Sequence, residues 1–214
     1  MFIFTNGDAV AQGLREAGVR GEIYPWRDVL HEGPVPADDL DALSATRAAW
    51  LAAQGWGDHE QIGKFFQRRD AALLKSRRHK RTELWFEHDL YDQLQLMQIL
   101  GELSLRKADP QRYAMVCIDA FPGVDDFRGL GQLTAEQLAT LHDQLVPLTV
   151  EQLDLAHRAW DAFRAPDPND LAELAGPLDD GAPLPFLGAA LRRLLAQYPA
   201  VGTGLDRIEQ RMLE

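Results

Sequence analysis

The stretch TELWFEHDLYDQLQLMQILGEL, residues 82–103, decides the fold class of this 214-residue chain. Residues 82–86 are rich in apolar and aromatic side chains, which predicts a buried strand. From residue 89 to residue 103 the apolar residues recur at helical spacing, so a helix is expected there. A strand that continues directly into a helix is the repeating unit of a parallel α/β sheet.

The same reasoning extends this unit to the rest of the chain. Further strands are predicted at residues 2–5, 21–26 and 112–118, and helices at residues 8–17, 39–54 and 58–79. This alternation predicts a mostly parallel, Rossmann-like sheet of about four strands with helices on both faces. From residue 134 onward only helices are expected, the later ones near 169–175, 184–197 and 205–213. We therefore predict an α/β domain at 1–133 and an all-helical C-terminal subdomain at 134–214.

The charge of the chain limits the partners that it can have. It carries 22 Lys and Arg against 33 Asp and Glu, a formal net charge of -11. An acidic surface repels phosphate backbones, so nucleic-acid binding is not expected, although a local basic pocket could hold an anion. The basic run at residues 75–81 (KSRRHKR) has two interpretations. It could bind a phosphate-bearing partner, or it could be a solvated helix end, and we prefer the second interpretation.

Cysteine use and hydropathy predict a cytoplasmic protein. The single cysteine, Cys117, excludes an internal disulfide and fits a reducing compartment; it lies in an apolar strand and is expected to be inert. No segment approaches the roughly 18 apolar residues that a membrane span requires, and the N-terminus does not resemble a signal peptide. We expect no membrane partner, whereas the helical part could mediate a homo-oligomer.

Polar residues follow each of the predicted strands. A parallel sheet brings the carboxyl ends of its strands to one edge, where ligands bind. These residues are Asn6, Gly7 and Asp8 after the first strand; Trp26, Arg27, Asp28, His31 and Glu32 after the second; Glu87, His88, Asp89, Asp92 and Gln93 after the third; and Asp119 after the fourth, with Arg128 in the loop beyond.

The group after the third strand is the most informative. Asp89, Asp92 and Gln93 share one sector of the first helical turn, above the face that should be buried. A separate polar set on the same helix, Gln95, Gln98 and Glu102, is expected to face solvent. Asp89 could simply cap the helix and Asp92 could favour its dipole. For the five residues together we favour a functional site, since carboxylates at a buried face need a partner or a pocket.

Our leading hypothesis is an enzyme that performs acid–base hydrolysis or group transfer on a small polar, nucleotide- or sugar-like substrate. The carboxylates would be Glu87, Asp89 and Asp92, and the proton carriers His31 and His88. The substrate would be bound by Asn6, Gly7, Asp8, Trp26, Arg27, Asp28, Glu32, Gln93, Asp119 and Arg128.

Several of these roles have alternatives. Trp26 could stack on a ligand or lie in the core, and Arg27 could bind an anion or pair with Asp28 or Glu87. The two histidines and nearby carboxylates could hold a divalent metal ion, although their spacing matches no strict metal motif, or they could only pin two loops together. The chain contains no glycine-rich pattern for NAD or ATP.

Two non-enzymatic hypotheses also remain. The first is a ligand-binding sensor or interaction module that uses the same pocket without turnover. The second is a nucleic-acid-linked regulator that uses residues 75–81.

Long motifs in this chain resemble a known family. The chain resembles the bacterial family catalogued as domain of unknown function 1835, over nearly its whole length including the helical C-terminal part. The resemblance is carried by Thr5–Asp8, Trp26–Pro34, Trp85–Gln93, Phe127–Gly131 and Leu184–Leu187. It implies a bacterial cytoplasmic protein and implies no activity. Chains of that family continue past the stretch that resembles residues 204–213, so no role of such a further segment is carried over.

Overall fold

The computed structural model describes residues 1–213 and has a five-stranded sheet covered by helices. The strands are β1 (Phe2–Thr5), β2 (Glu22–Pro25), β3 (Thr82–Glu87), β4 (Tyr113–Ile118) and β5 (Val146–Pro147). Their order is β2-β1-β3-β4-β5; β1 to β4 are parallel and β5 runs antiparallel to β4. The α/β fold with a mostly parallel sheet is confirmed.

The predicted number of strands is too low by one. The missing strand, β5, lies in the part of the chain where only helices were expected, and it pairs Val146 and Pro147 with β4. Two residues are too few to show the alternation by which a strand is recognised in a sequence, and proline argues against a strand. This strand therefore becomes visible only through its pairing.

The helices begin and end close to the predicted positions. They are α1 (Asp8–Glu16), α2 (Leu40–Ala53), α3 (His59–Ser76), α4 (Leu90–Leu105), α5 (Ala135–Leu141), α6 (Val150–Phe163), α7 (Pro168–Ala175), α8 (Leu187–Leu195) and α9 (Arg207–Met212). Asp58 and Asp89 cap α3 and α4, whereas α1 has Gly7 at its N-cap position and Asp8 as its first residue. Within residues 1–213 no helix combines the length and the apolar character needed to cross a membrane.

The strand order places a crevice between β1 and β3. From β1 the chain passes to β2 on one side and then returns to β3 on the other side, so the order reverses at this point. In open α/β sheets ligands bind in the crevice that such a reversal leaves beyond the carboxyl ends of the strands. Thr5 is in register with both Pro25 and Trp85, so Asn6 follows β1 close to the end of β3.

Helix α4 is buried on all sides from Asp92 to Leu103, although Tyr91 in its first turn is exposed. Gln95, Gln98 and Glu102 are buried, so the expectation that they face solvent is wrong. Gln95 Nε2 donates to the backbone oxygen of Asp28 (2.7 Å), and Gln98 Oε1 accepts from Trp26 Nε1 (2.7 Å). The cause is that β3 contacts one face of α4 while α6 and α8 contact others.

One apolar core extends across the predicted domain boundary. It contains Phe4 and Leu84 of the sheet together with Trp160 of α6 and Leu191 of α8. The contact is close at Gly101 of α4, where an added Cβ would lie 2.9 Å from the Cβ of Trp160. Residues after 133 therefore help to bury the sheet, and the division between 133 and 134 stays a prediction.

Candidate functional site

Three carboxylates converge at the crevice between β1 and β3. Glu87 is the last residue of β3, Asp89 is the N-cap of α4, and Asp92 lies in the first turn of that helix. One oxygen atom from each lies within 4.8 Å of the others. The short connection between strand and helix produces this proximity, and we refer to these three residues as the carboxylate cluster.

Asp92 connects the ends of the two central strands. Its side chain is buried; Oδ1 accepts the backbone N–H of Glu87 (3.0 Å), and Oδ2 accepts a hydrogen bond from the side-chain amide of Asn6. Asn6 Oδ1 in turn accepts the backbone N–H of Gly7 (2.8 Å). The residues after β1 and the residues after β3 thus lie close together, as the sequence predicts.

The capping interpretation of Asp89 is also correct. Its Oδ1 accepts the backbone N–H of Asp92 at 2.8 Å, which satisfies one of the free donors at the start of α4. Within residues 1–213 the other oxygen, Oδ2, has no hydrogen-bond partner, and Asp89 is only partly buried. Asp89 is therefore both the N-cap of α4 and a member of the carboxylate cluster.

Glu87 is enclosed by the loop that follows β4. Its Oε2 accepts the backbone N–H of Leu130. The preceding residue is Gly129, at which an added Cβ would lie 2.5 Å from Cδ of Glu87. A glycine is required at this position because the backbone passes directly over the carboxylate. Sequence reasoning missed Leu130, since a backbone donor leaves no side-chain signal.

Burial and the repulsion of neighbouring carboxylates raise the pKa values of Glu87 and Asp92. Burial raises the pKa of Glu87 to about 7, and the charge of Asp89 adds to this, while the Leu130 hydrogen bond opposes it. Burial also raises the pKa of Asp92 well above its ordinary value, as do the charges of Glu87 and Asp89. Carboxylates this close cannot all ionise, so the cluster retains a proton near neutral pH.

Gln93 supports the cluster from beneath. It is buried, and its Nε2 donates to the backbone oxygen of Glu87 (2.7 Å) and to Sγ of Cys117 (3.3 Å). Burial raises the pKa of Cys117 to about 12, so the thiol stays protonated and unreactive. Gln93 thus fixes the end of β3 through its amide.

The two histidines lie beside the start of α4 without joining the cluster. The His88 ring is near Phe127 and Phe186, with ring centroids 6.3 and 6.2 Å away. The His31 ring packs edge-on against Tyr91 at 4.5 Å, and its Nε2 lies 3.3 Å from Oε1 of the exposed Glu32. Burial lowers the pKa of His31, which favours its neutral form.

The alternative of a metal site that includes both histidines has no support in the geometry. Within residues 1–213, the group with metal-ligand spacing consists of Glu87, Asp89 and Asp92, with no histidine. In both histidines Nδ1 is buried and has no hydrogen-bond partner among the described residues. Their aromatic contacts show that each ring packs between loops and helices.

Arg27 lies at the rim of a cavity. It pairs with Asp8, with Nε 3.1 Å from Oδ1, and not with Asp28 or Glu87 as considered from the sequence. Its guanidinium also lies 4.5 Å from the centre of the Phe65 ring. Arg27, Trp56 and Phe65 are among the residues that line a cavity of about 320 Å³ beside the start of α3.

Two residues predicted to bind substrate are structural. Trp26 is fully buried, and the guanidinium of Arg69 lies 4.2 Å from its ring centre, so the core interpretation is the correct one. The Asp28 side chain is also buried and pairs with Arg47 at 2.7 Å and with Arg69 at 3.9 Å. The burial of Arg47 could have been predicted from the sequence. Arg47 lies four residues from both Leu43 and Leu51, so helical spacing places it on the apolar face of α2.

The remaining predicted residues lie at the periphery. Asp119 is exposed after β4, and Arg128 is exposed and pairs with Asp126 (2.6 Å). In this loop it is the backbone N–H of Leu130, two residues beyond Arg128, that donates to the cluster.

Comparison with known proteins does not add to this description. No family model, no curated protein and no solved structure matches the chain. The chemistry of the site is therefore inferred from its own geometry.

Proposed function

We propose that the chain is an enzyme that performs acid–base hydrolysis or group transfer on a small polar substrate at the carboxylate cluster. One observation carries this proposal: the carboxylate oxygens of Glu87, Asp89 and Asp92 meet within 4.8 Å at the crevice where the strand order reverses. Ligands of open α/β sheets bind at that place.

The hydrogen bonds suggest different roles within the cluster. Both oxygens of Asp92 accept hydrogen bonds, so Asp92 is a positioning residue that holds Asn6 and the end of β3. Glu87 Oε1 and Asp89 Oδ2 have no hydrogen-bond partner within residues 1–213 and are available to a substrate. These two residues are the catalytic pair of the proposal.

The protonation states define the direction of proton transfer. Glu87, with a pKa of about 7, carries a proton that it can donate to the oxygen or nitrogen of a leaving group. Asp89 is the more open carboxylate and can accept the proton of the attacking water or hydroxyl group. The products leave with Glu87 ionised and Asp89 protonated, and proton exchange with water restores the starting state.

A nucleotide- or sugar-like substrate fits the surroundings. Hydroxyl groups can donate to the free carboxylate oxygens, and a planar ring could occupy the 320 Å³ cavity that Phe65 and Trp56 line. Arg27 joins this cavity to the loop after β1 through its ion pair with Asp8.

The decisive experiment compares the purified chain with Glu87→Gln and Asp89→Asn on a panel of phosphate esters, glycosides and nucleosides. Both substitutions should lower turnover by about 100-fold or more while the circular dichroism spectrum stays unchanged. Asp125→Asn is the matched control, because Asp125 is exposed in the loop after β4. The carboxylates also have the spacing of a cation site. Because the proposed proton transfers use only the carboxylates, activity should persist after treatment with a chelator.

Two outcomes would contradict the enzyme proposal. Equal activity of Glu87→Gln and the parent chain would remove the proton donor from the mechanism. Binding of a panel compound without turnover, lost in Asp89→Asn, would instead identify a ligand-binding sensor.

We also propose that the chain belongs to the family catalogued as domain of unknown function 1835, and hence that it is bacterial and cytoplasmic. The support is that three of the similar segments meet around one residue: His88 lies in one, and its ring neighbours Phe127 and Phe186 lie in the other two. The parallel order of β1 to β4 supports a Rossmann-like class, and α5 to α9 support a largely helical C-terminal subdomain. A solved structure of a family member with a different strand order would contradict this assignment.

A further inference from the structure

A second cavity lies at the opposite edge of the sheet and is strongly basic. It has a volume of about 630 Å³ and lies between the end of α3 and the turn from α4 to β4. We call it the basic cleft; its charged lining residues are Lys75, Arg77, Arg78, Lys107, Asp109 and Arg112. Because β3 and β4 begin here and end at the carboxylate cluster, the two places are roughly 20 Å apart.

A buried hydrogen bond holds the two sides of the cleft together. Ser76 Oγ and the hydroxyl of Tyr113 are 2.9 Å apart, which joins the end of α3 to the first residue of β4. Arg77 directly follows Ser76 and Arg112 directly precedes Tyr113, so the two arginines are fixed near each other. Burial raises the pKa of Tyr113, whereas the Ser76 hydrogen bond and the charges of Arg77 and Arg112 lower it, in agreement with this proximity.

The positive charge of the cleft exceeds what the fold requires. Among the five basic residues, only Arg112 has a carboxylate within ion-pair distance in residues 1–213, namely Asp109 at 3.3 Å. The carboxyl ends of α3 and α4 each contribute about half a negative charge. Together with Asp109 these ends supply about two negative charges, which leaves a surplus of about three positive charges. Compensation of the two helix ends therefore explains only part of the positive charge in the basic cleft.

Lys107 indicates that the positive charge of the cleft does more than compensate the end of a helix. It is two residues past the end of α4 and has a φ of 52°, in the left-handed region that favours glycine. Glycine would end the helix with less backbone strain. The lysine instead places another cation in the lining of the cleft.

We propose that the basic cleft binds a small ligand that carries two or more phosphate groups. Its volume lies within the range of small-molecule sites, and arginine side chains match phosphate oxygens in pairs. A net charge of -11 disfavours a long nucleic acid, whose backbone would extend beyond the cleft onto an acidic surface. This proposal does not depend on the function of the carboxylate cluster.

The test is calorimetric titration of the full chain with inorganic pyrophosphate at low ionic strength. One pyrophosphate should bind per chain, and added salt should weaken the binding. Arg77→Gln should weaken it about tenfold, the ratio that corresponds to the loss of one charge-assisted hydrogen bond. Arg68→Gln is the matched control, because Arg68 is exposed on the same helix and does not line the cleft.

Lys107→Gly separates ligand binding from folding. This variant should have a higher melting temperature because the left-handed backbone is relieved, and yet it should bind pyrophosphate several-fold more weakly. Absence of pyrophosphate binding would overturn the proposal, as would equal weakening by Arg68→Gln or unchanged binding by Lys107→Gly. Tighter binding of a single-stranded oligonucleotide than of tripolyphosphate would also overturn it, in favour of a nucleic-acid surface.

Discussion

The side-chain amide of Asn6 donates a hydrogen bond to the carboxylate of Asp92, although the two residues are 86 positions apart in the chain. The bond is possible because β1 and β3 are neighbours in the sheet, so the loop after β1 faces the first turn of α4. It holds Asp92 beside Glu87, and by favouring the ionised form of Asp92 it partly opposes the rise that burial produces in the pKa of that carboxyl group.

Asn6→Ala should destabilise the fold by about 1–3 kcal/mol, because the buried Oδ2 of Asp92 loses its donor. Urea unfolding monitored by fluorescence measures this change. The same substitution in an Asp92→Asn background should cost less, since the two residues act through one contact. Strictly additive effects would show that the hydrogen bond contributes nothing.

The contribution of Glu87 to the stability of the chain should fall as the pH rises from about 4.5 to about 7. In the folded state Glu87 has a pKa of about 7, above its ordinary value of 4.5, so the folded chain binds more protons in this range. The contribution is fully present below pH 4.5 and is lost as the pH passes 7. Asp92, whose pKa is also raised, acts with the same sign.

Glu87→Gln isolates this effect. The difference in unfolding free energy between the parent chain and the variant should change by about 1–3 kcal/mol between pH 4.5 and pH 8, a value reduced for partial solvent exposure. Urea unfolding at several pH values gives this difference, in which the titration of groups that do not interact with Glu87 cancels. A difference that does not vary with pH would place the pKa of Glu87 at its ordinary value.

Gly129→Ala should displace Glu87. The added Cβ would lie 2.5 Å from Cδ of the carboxylate, so the variant should lose about 1–3 kcal/mol of stability and should lose activity as Glu87→Gln does. Gly63→Ala is the control: that glycine lies within α3 with no atom within 4 Å of the added carbon, so alanine should stabilise the helix by about 0.5–1 kcal/mol. Thermal unfolding of both variants provides the comparison.

Asp28→Ala should be far more harmful than Asp8→Ala. The Asp28 side chain is buried with Arg47 and Arg69, and its removal leaves the buried Arg47 without a carboxylate partner, at a cost of about 3–5 kcal/mol. Asp8 pairs with Arg27 at the surface, where the loss should be about 0–1 kcal/mol. Similar urea midpoints for the two variants would exclude a structural role for the Asp28 network.

Much of the local structure could be predicted because its causes are close in sequence. Capping boxes occur at Thr134 with Gln137 and at Thr149 with Gln152, and each can be recognised in the sequence because it needs only residues three positions apart. The predicted strands before residue 133 also agree with β1 to β4 to within one residue at each end. Pattern and spacing are sufficient wherever the partner lies in the same element.

The burial of polar residues could not be predicted in the same way. Gln95 and Gln98 resemble a solvent-facing set, and Arg69 resembles a surface residue, yet all three are buried. Their burial depends on which helices cover α4 and α3, and the helical period of one segment carries no information about its distant partners.

The pattern of residues along the chain specifies the alternation of strands and helices, and with it the edge at which Asn6, Glu87 and Asp92 meet. The packing of the whole molecule is what encloses these carboxylates in a buried space and makes Asp28 and Trp26 part of the core. The physical reason is that parallel strands fix where loops emerge, whereas desolvation depends on every element that packs around a side chain. Residues after 133 supply much of that packing through Trp160 and Leu191.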